Sequence, residues 1–131
     1  QCGSRGLGDV YKRQVPRWAL KVNSSVGAVA VVLGAFGAHA LKDVLQSNGN
    51  IEVWKTAVFY HLIHSVLLVF ISFNSDYFNK LAYFLLLTGV ILFSGSLYLL
   101  SFFSFSWLGP ITPVGGIFLI LGWVTLSRKP N

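Results

Sequence analysis

"LAYFLLLTGVILFSGSLYLLSFF" occupies residues 81–103, and no position in it carries a formal charge. A bilayer's hydrocarbon core is about 30 Å thick and takes roughly 20 helical residues to cross. The stretch therefore reads as a membrane-spanning helix. Its charge-free run continues to Ser127, broken near the middle by "SFSWLGPITP" at residues 104–113. Two more charge-free runs, Val22–Leu41 and Thr56–Ser75, are each twenty residues long. The arithmetic predicts an all-α fold: a four-helix transmembrane bundle with spans at about 22–41, 56–74, 81–102 and 110–127.

Composition points the same way. The chain has 131 residues, 54% hydrophobic and 11% charged, with a mean hydropathy of +0.66. An average soluble domain is about 25% charged. A short soluble chain buries too small a share of its surface to hide this much apolar area. The lipid bilayer is the expected surrounding and the expected partner.

Residues 1–14 are set apart. "DVYKRQ" at 9–14 is what a transposase mosaic-end adapter encodes, and the chain contains no Met. The expectation is that 1–14 are sequencing read-through and that 15–131 form a single membrane domain. Setting them aside removes Cys2, and with it any disulfide, thiol nucleophile or thiolate ligand. It also removes Arg5, Lys12, Arg13 and Asp9, so the net charge falls from +6 to +4. The remaining basic residues stand at span ends and are not clustered with aromatics, which argues against nucleic acid. A secretory signal ending at Ala38-His39-Ala40 is the other reading of the first run. The run exceeds the usual 7–15-residue apolar region of a signal, so a retained helix is expected.

An even number of spans puts both termini on one side. That side holds Arg17, Lys21, Lys80, Arg128 and Lys129, against Lys42 and Lys55 on the other. The lysine and arginine bias places the termini in the cytoplasm. "SNGN" at 47–50 is turn chemistry, with Gly49 free to take positive φ. Trp54, Tyr77 and Trp107 are expected at the membrane interface. Two starts are open for the fourth span: Thr112 as N-cap with Pro113 first in the helix, or an earlier start at Pro110.

Inside lipid, helices associate through close backbone approach, which small residues permit. Gly27, Ala30, Gly34 and Ala38 form such a stripe on the first span. Ala82, Gly89 and Ser96 form one on the third, and Gly115, Leu119 and Gly122 on the fourth. These are expected to face inward; homo-oligomer formation is another use for the first stripe. On the second span Phe59, Ile63, Val66 and Phe70 form a bulky face for lipid. Ala57, His61, His64, Leu68 and Ser72 form the opposite, inward face.

His39, His61 and His64 form the one cluster of titratable groups expected inside the bilayer, at similar depths on facing helices. Intramembrane ionisable residues are candidate functional groups. Neutral imidazoles hydrogen-bonded between helices are one reading. Three imidazoles also match the protein ligands of an open zinc site, and an axial imidazole can hold haem. No carboxylate shares the apolar runs, and the third and fourth spans hold no group to extend a proton path. Ser65 beside His64 cannot face it on a helix, and the G-x-S-x-G nucleophile pattern is absent. No catalytic residue, no enzyme activity and no cofactor are expected.

Four stretches together carry a resemblance: "LGAFGAHALK" (33–42), "YHLIHSVLL" (60–68), "FSGSLYLL" (93–100) and "ITPVGGIFLILGW" (111–123). Their order and spacing resemble the family called domain of unknown function 423, which includes transmembrane protein 256 of animals. The resemblance spans about Lys21 to Leu126. It implies a four-span integral membrane protein of bacterial inner membranes, in a family without an assigned activity. His39 and His64 fall on its motif positions. His61 matches some members where others carry Gln, which suits hydrogen bonding better than zinc ligation. The function expected is a non-catalytic structural or accessory membrane subunit. The alternative is a binding protein or carrier for a metal, haem or small apolar ligand that uses the three histidines.

Overall fold

The computed structural model describes residues 16–73 and 78–128. The adapter-like residues 1–14, Tyr77 and Lys129 lie outside them. The described chain forms α1 (Arg17–Ala38), a short α2 (Lys42–Ser47), α3 (Ile51–Phe73), α4 (Lys80–Phe103), a 3-10 turn at Ser106–Leu108 and α5 (Ile111–Leu126). There is no strand among the described residues. α1, α3, α4 and the segment Ser106–Leu126 are each long and apolar enough to cross a membrane. The fold is the all-α, four-span one that the charge-free runs predict.

The helix boundaries differ from those runs, for a physical reason. α1 begins at Arg17 and includes Lys21. Long basic side chains lay their stems on apolar surface and keep their charged heads in water, so the helix does not stop where the charges start. α3 likewise begins at Ile51, with Glu52 and Lys55 paired at 3.4 Å in its first turns. At its far end α1 stops at Ala38, short of Leu41, because His39 takes non-helical angles (φ −124°, ψ −80°). α5 takes the earlier of its two possible starts. Pro110 is its N-cap and Pro113 falls in the first turn, where a missing N–H costs no helical hydrogen bond.

Loop residues close the helix ends. Gly49 has φ +72°, a conformation open to glycine without steric cost. Asn48 and Asn50 beside it donate side-chain N–H groups to the carbonyls of Ser101 and Phe102 at 3.1–3.3 Å. Those carbonyls belong to the last turn of α4, which lacks helical donors. Asn79 is the N-cap of α4, accepting from the backbone N–H of Leu81 and of Ala82. Its amide also donates to Thr125 O at 3.3 Å and so holds the end of α5.

Backbones approach closely only between successive spans: α1 with α3, α3 with α4, and α4 with α5. No Cα of α1 comes within 8 Å of α4 or α5, and none of α3 within 8 Å of α5. Glycine sets the α4–α5 contact. A Cβ on Gly115 would lie 2.4 Å from the backbone N of Phe93. On Gly89 it would lie 2.8 Å from Leu119, and on Gly122 2.7 Å from Leu86. Ala82, Ser96 and Leu119 are buried on the same two helices.

α1 is seated less tightly. A Cβ on Gly27 would meet Ser65 at 3.6 Å and one on Gly34 would meet Val58 at 3.3 Å, while Ala30 is fully buried. One expectation is corrected here. Ala38 is exposed, and Gly37 takes the packed position, since a Cβ there would lie 2.1 Å from Trp54 Nε1. Trp54 does not point outward from the bundle. It is buried in the notch at Gly37 and donates its indole N–H to Leu33 O at 3.0 Å. A buried indole needs an acceptor, and a glycine beside a helix carbonyl admits it. Trp107 is exposed. On α3, Phe59, Ile63, Val66 and Phe70 are exposed, while Ala57, His61, His64 and Leu68 are buried.

The contacts of the glycines separate two substitutions. Gly115→Ala drives a methyl into the Phe93 backbone, and overpacking of this kind costs about 1–3 kcal/mol. Gly95→Ala, on the same α4–α5 hairpin, meets nothing within 4 Å, and is expected within about 1 kcal/mol of the parent. Thermal unfolding in detergent checks both. Equal effects would contradict the packing described.

Candidate functional site

The polar side chains inside the spans gather at two levels. The first is at the end of the bundle that holds Arg17. Asn23 on α1 is completely buried. Its amide nitrogen donates to Leu68 O at 3.0 Å and to Ser72 Oγ, both on α3. Its carbonyl oxygen accepts from the Tyr83 hydroxyl of α4 at 2.9 Å. Tyr83 is itself buried and meets Trp18 edge-on, with ring centroids 6.0 Å apart. One amide thus joins three helices, and it joins α1 to α4, whose backbones do not approach.

The second level is near the middle of α3. His61 Nδ1 lies 2.8 Å from the Tyr98 hydroxyl of α4, and the ring lines one groove with Val26 of α1. Tyr98 in turn packs edge-on against Trp54 at 4.8 Å. One turn further, His64 Nδ1 lies 2.7 Å from Tyr60 O, and His64 Nε2 accepts from the Trp123 indole N–H of α5 at 3.0 Å. The partners determine the tautomer. A carbonyl only accepts and an indole N–H only donates. Nδ1 therefore carries the hydrogen, Nε2 offers its lone pair, and the ring is neutral. This bond joins α3 to α5, again two helices without close backbone contact.

Hydroxyl groups complete both levels. Ser94 donates to Ala57 O at 3.0 Å, and Ser96 and Thr112 share a hydrogen bond of 2.6 Å across α4 and α5. Ser65 donates to His61 O within α3. Among the described residues no buried side-chain nitrogen or oxygen lacks a partner. Hydrocarbon demands that, because it supplies none.

The three histidines do not form one cluster. His39 is exposed at the end of α1. Trp54 packs at the level of Gly37, and His61 stands seven residues further along α3, about 10 Å in axial rise. His39 lies beyond Gly37 in the opposite sense. His61 and His64 stand near the middle of α3, which runs from Ile51 to Phe73. Among the described residues, no group of three His, Cys, Asp or Glu side chains is placed to hold a metal ion. His64 has both nitrogens engaged, and its one ring-plane lone pair, on Nε2, already accepts from Trp123.

Asn23, Tyr83, Tyr98 and Trp123 were not singled out from sequence. For Asn23 a signal existed. It precedes Gly27, Ala30 and Gly34 at spacings of four, three and four, which puts an amide on the small-residue face of the first span. For Tyr98 and Trp123 there was none, because an aromatic ring on a span looks the same whether it faces lipid or an imidazole.

Four apolar helices with polar groups turned inward and paired define an integral membrane protein. The model of the family described as protein of unknown function (DUF423) matches residues 33–116, and the chain belongs to that family. It is 40% identical over 116 residues to the UPF0382 membrane protein YwdK of Bacillus subtilis, covering 82% of this chain and 94% of that protein. A UPF0382 membrane protein of Staphylococcus epidermidis is 40% identical over 114 residues, covering 82% of this chain and 93% of its own. The UPF0382 membrane protein C1782.12c of Schizosaccharomyces pombe is 34% identical over 111 residues, covering 80% and 94%. No solved structure matches the chain.

The His64–Trp123 bond should be measurable as a coupling. His64→Ala and Trp123→Phe are each expected to lower stability in detergent, and the double variant by less than their sum. The coupling is expected at about 0.5–2 kcal/mol, the range for hydrogen bonds between membrane helices. Exact additivity in the cycle would mean the two rings do not interact. His64→Gln, with a donor and an acceptor of its own, should lie between the parent and His64→Ala.

Proposed function

We propose that this chain is a non-catalytic structural or accessory protein of the inner (plasma) membrane, and that its intramembrane imidazoles pair helices. One observation carries the reading: His64 spends both ring nitrogens on Tyr60 O and the Trp123 indole, at 2.7 and 3.0 Å. A ligand to metal or haem needs a free lone pair, and a proton carrier needs a ring that can gain and lose a hydrogen. The Tyr98 hydroxyl beside His61 and the indole beside His64 are instead partners that an imidazole keeps in order to hold position. The charge-free runs contain no carboxylate or thiol that could serve as nucleophile or general base.

The purified protein in detergent is expected to carry no stoichiometric metal by elemental analysis and no Soret absorbance. A metal or haem present at one per chain, and lost in His64→Ala, would overturn this reading. It would favour instead a binding protein or carrier built on the histidines.

The orientation follows from charge. Arg17, Lys21, Lys80 and Arg128 lie at one end of the bundle, and Lys42 and Lys55 at the other. Basic residues near span ends are retained on the cytoplasmic side. A fluorescent protein fused after Asn131 should therefore fold and fluoresce, and alkaline phosphatase fused there should be inactive. The reverse pair of results would invert the topology.

A further inference from the structure

α1 leans on α3 alone and touches α4 only through side chains. Apart from the Asn23–Tyr83 bond, the two helices stand apart from the level of Lys21 to that of Leu33. A groove of about 560 Å³ fills that gap. Val26, Val29 and Leu33 form one wall, Val90, Ile91 and Gly95 the other, and His61 of α3 lies at the floor. Its volume falls within the roughly 300–1,000 Å³ typical of small-molecule sites. Lys21 stands at one end.

We propose that this groove holds one acyl chain of an anionic phospholipid whose headgroup is bound by Lys21. Three features of the molecule define that occupant. The first is length. From Lys21 to Leu33 α1 rises about 18 Å, close to the ~15 Å of a single hydrocarbon leaflet. A lipid with its headgroup at Lys21 would lay its chain along the groove to the bilayer centre. The second is charge. Lys21 follows Arg17 by one helical turn, at the end of the span where headgroups lie. Lys80 and Arg128 stand at the same end of the bundle. The third is Gly95. Unlike Gly89, Gly115 and Gly122, it admits no neighbouring helix, and a Cβ there would meet open space. Its missing side chain leaves the groove open.

The test uses the full chain, purified in detergent and mixed with equal amounts of phosphatidylglycerol and phosphatidylcholine. Native mass spectrometry then counts the lipids retained. The parent is expected to keep one phosphatidylglycerol per chain in preference to phosphatidylcholine. Lys21→Gln should reduce that preference about fivefold, the worth of one basic residue near an anionic surface. Gly95→Leu and Val29→Trp fill the groove from opposite walls and should abolish retention of both lipids. Gly95→Ala is too small to fill it and should retain lipid like the parent. Circular dichroism checks that each variant is folded, and the two filling variants guard against the failure of one. Equal retention of the two lipids by the parent would overturn the proposal, as would parental retention by both filling variants. So would efficient disulfide formation between two copies of an Ile91→Cys, Cys2→Ser chain in membranes, which would put a second protein on the groove.

Discussion

Hydrocarbon offers no partner to an imidazole, an amide or an indole N–H, and the structure follows from that single constraint. Every buried polar side chain among the described residues is bonded within the chain. The cost of leaving one unpaired in an apolar medium is several kcal/mol, far more than packing of one apolar side chain against another returns when lipid is the alternative. Polar groups in the spans therefore do not merely tolerate their surroundings. They choose which helix faces which, and at what rotation.

Two kinds of contact divide the work. Successive helices meet backbone to backbone where glycine allows it, most tightly at Gly115 against Phe93 and at Gly89 against Leu119. Helices that are not successive meet only through long side chains: Asn23 with Tyr83 across α1 and α4, and His64 with Trp123 across α3 and α5. The first kind brings helices close but lets small faces slide. The second kind is directional and fixes register. His64 belongs to this second kind, as do Asn23 and Tyr83 at the other level, while His61 adds a directional bond to Tyr98 between the successive helices α3 and α4.

The same division explains why the bundle is not filled evenly. Asn23 and Tyr83 bridge α1 and α4 at one level; beside that bridge the gap is open and apolar. In water such an opening would cost stability through exposed apolar surface. In a bilayer it is wetted by acyl chains, and the shape of the opening decides whether one of them is held in place.

By itself the sequence determined the solvent and the number of crossings, because charge-free runs of twenty residues have few other homes. It also determined the inward face of the second span: Phe59, Ile63, Val66 and Phe70 stand opposite His61 and His64 at helical spacing, and period is a local property. The family was legible in four short stretches for the same reason. What the runs did not carry were the helix ends, since Arg17, Lys21, Glu52 and Lys55 are charged yet helical beyond the hydrocarbon. Nor could they pair the polar groups. Whether Trp54 points outward or into a notch at Gly37, and whether His64 meets His39 or Trp123, depends on the rotation and offset of helices far apart in sequence. Only the tertiary structure decides that, because a hydrogen bond is made by the relative position of two helices and neither helix encodes it alone.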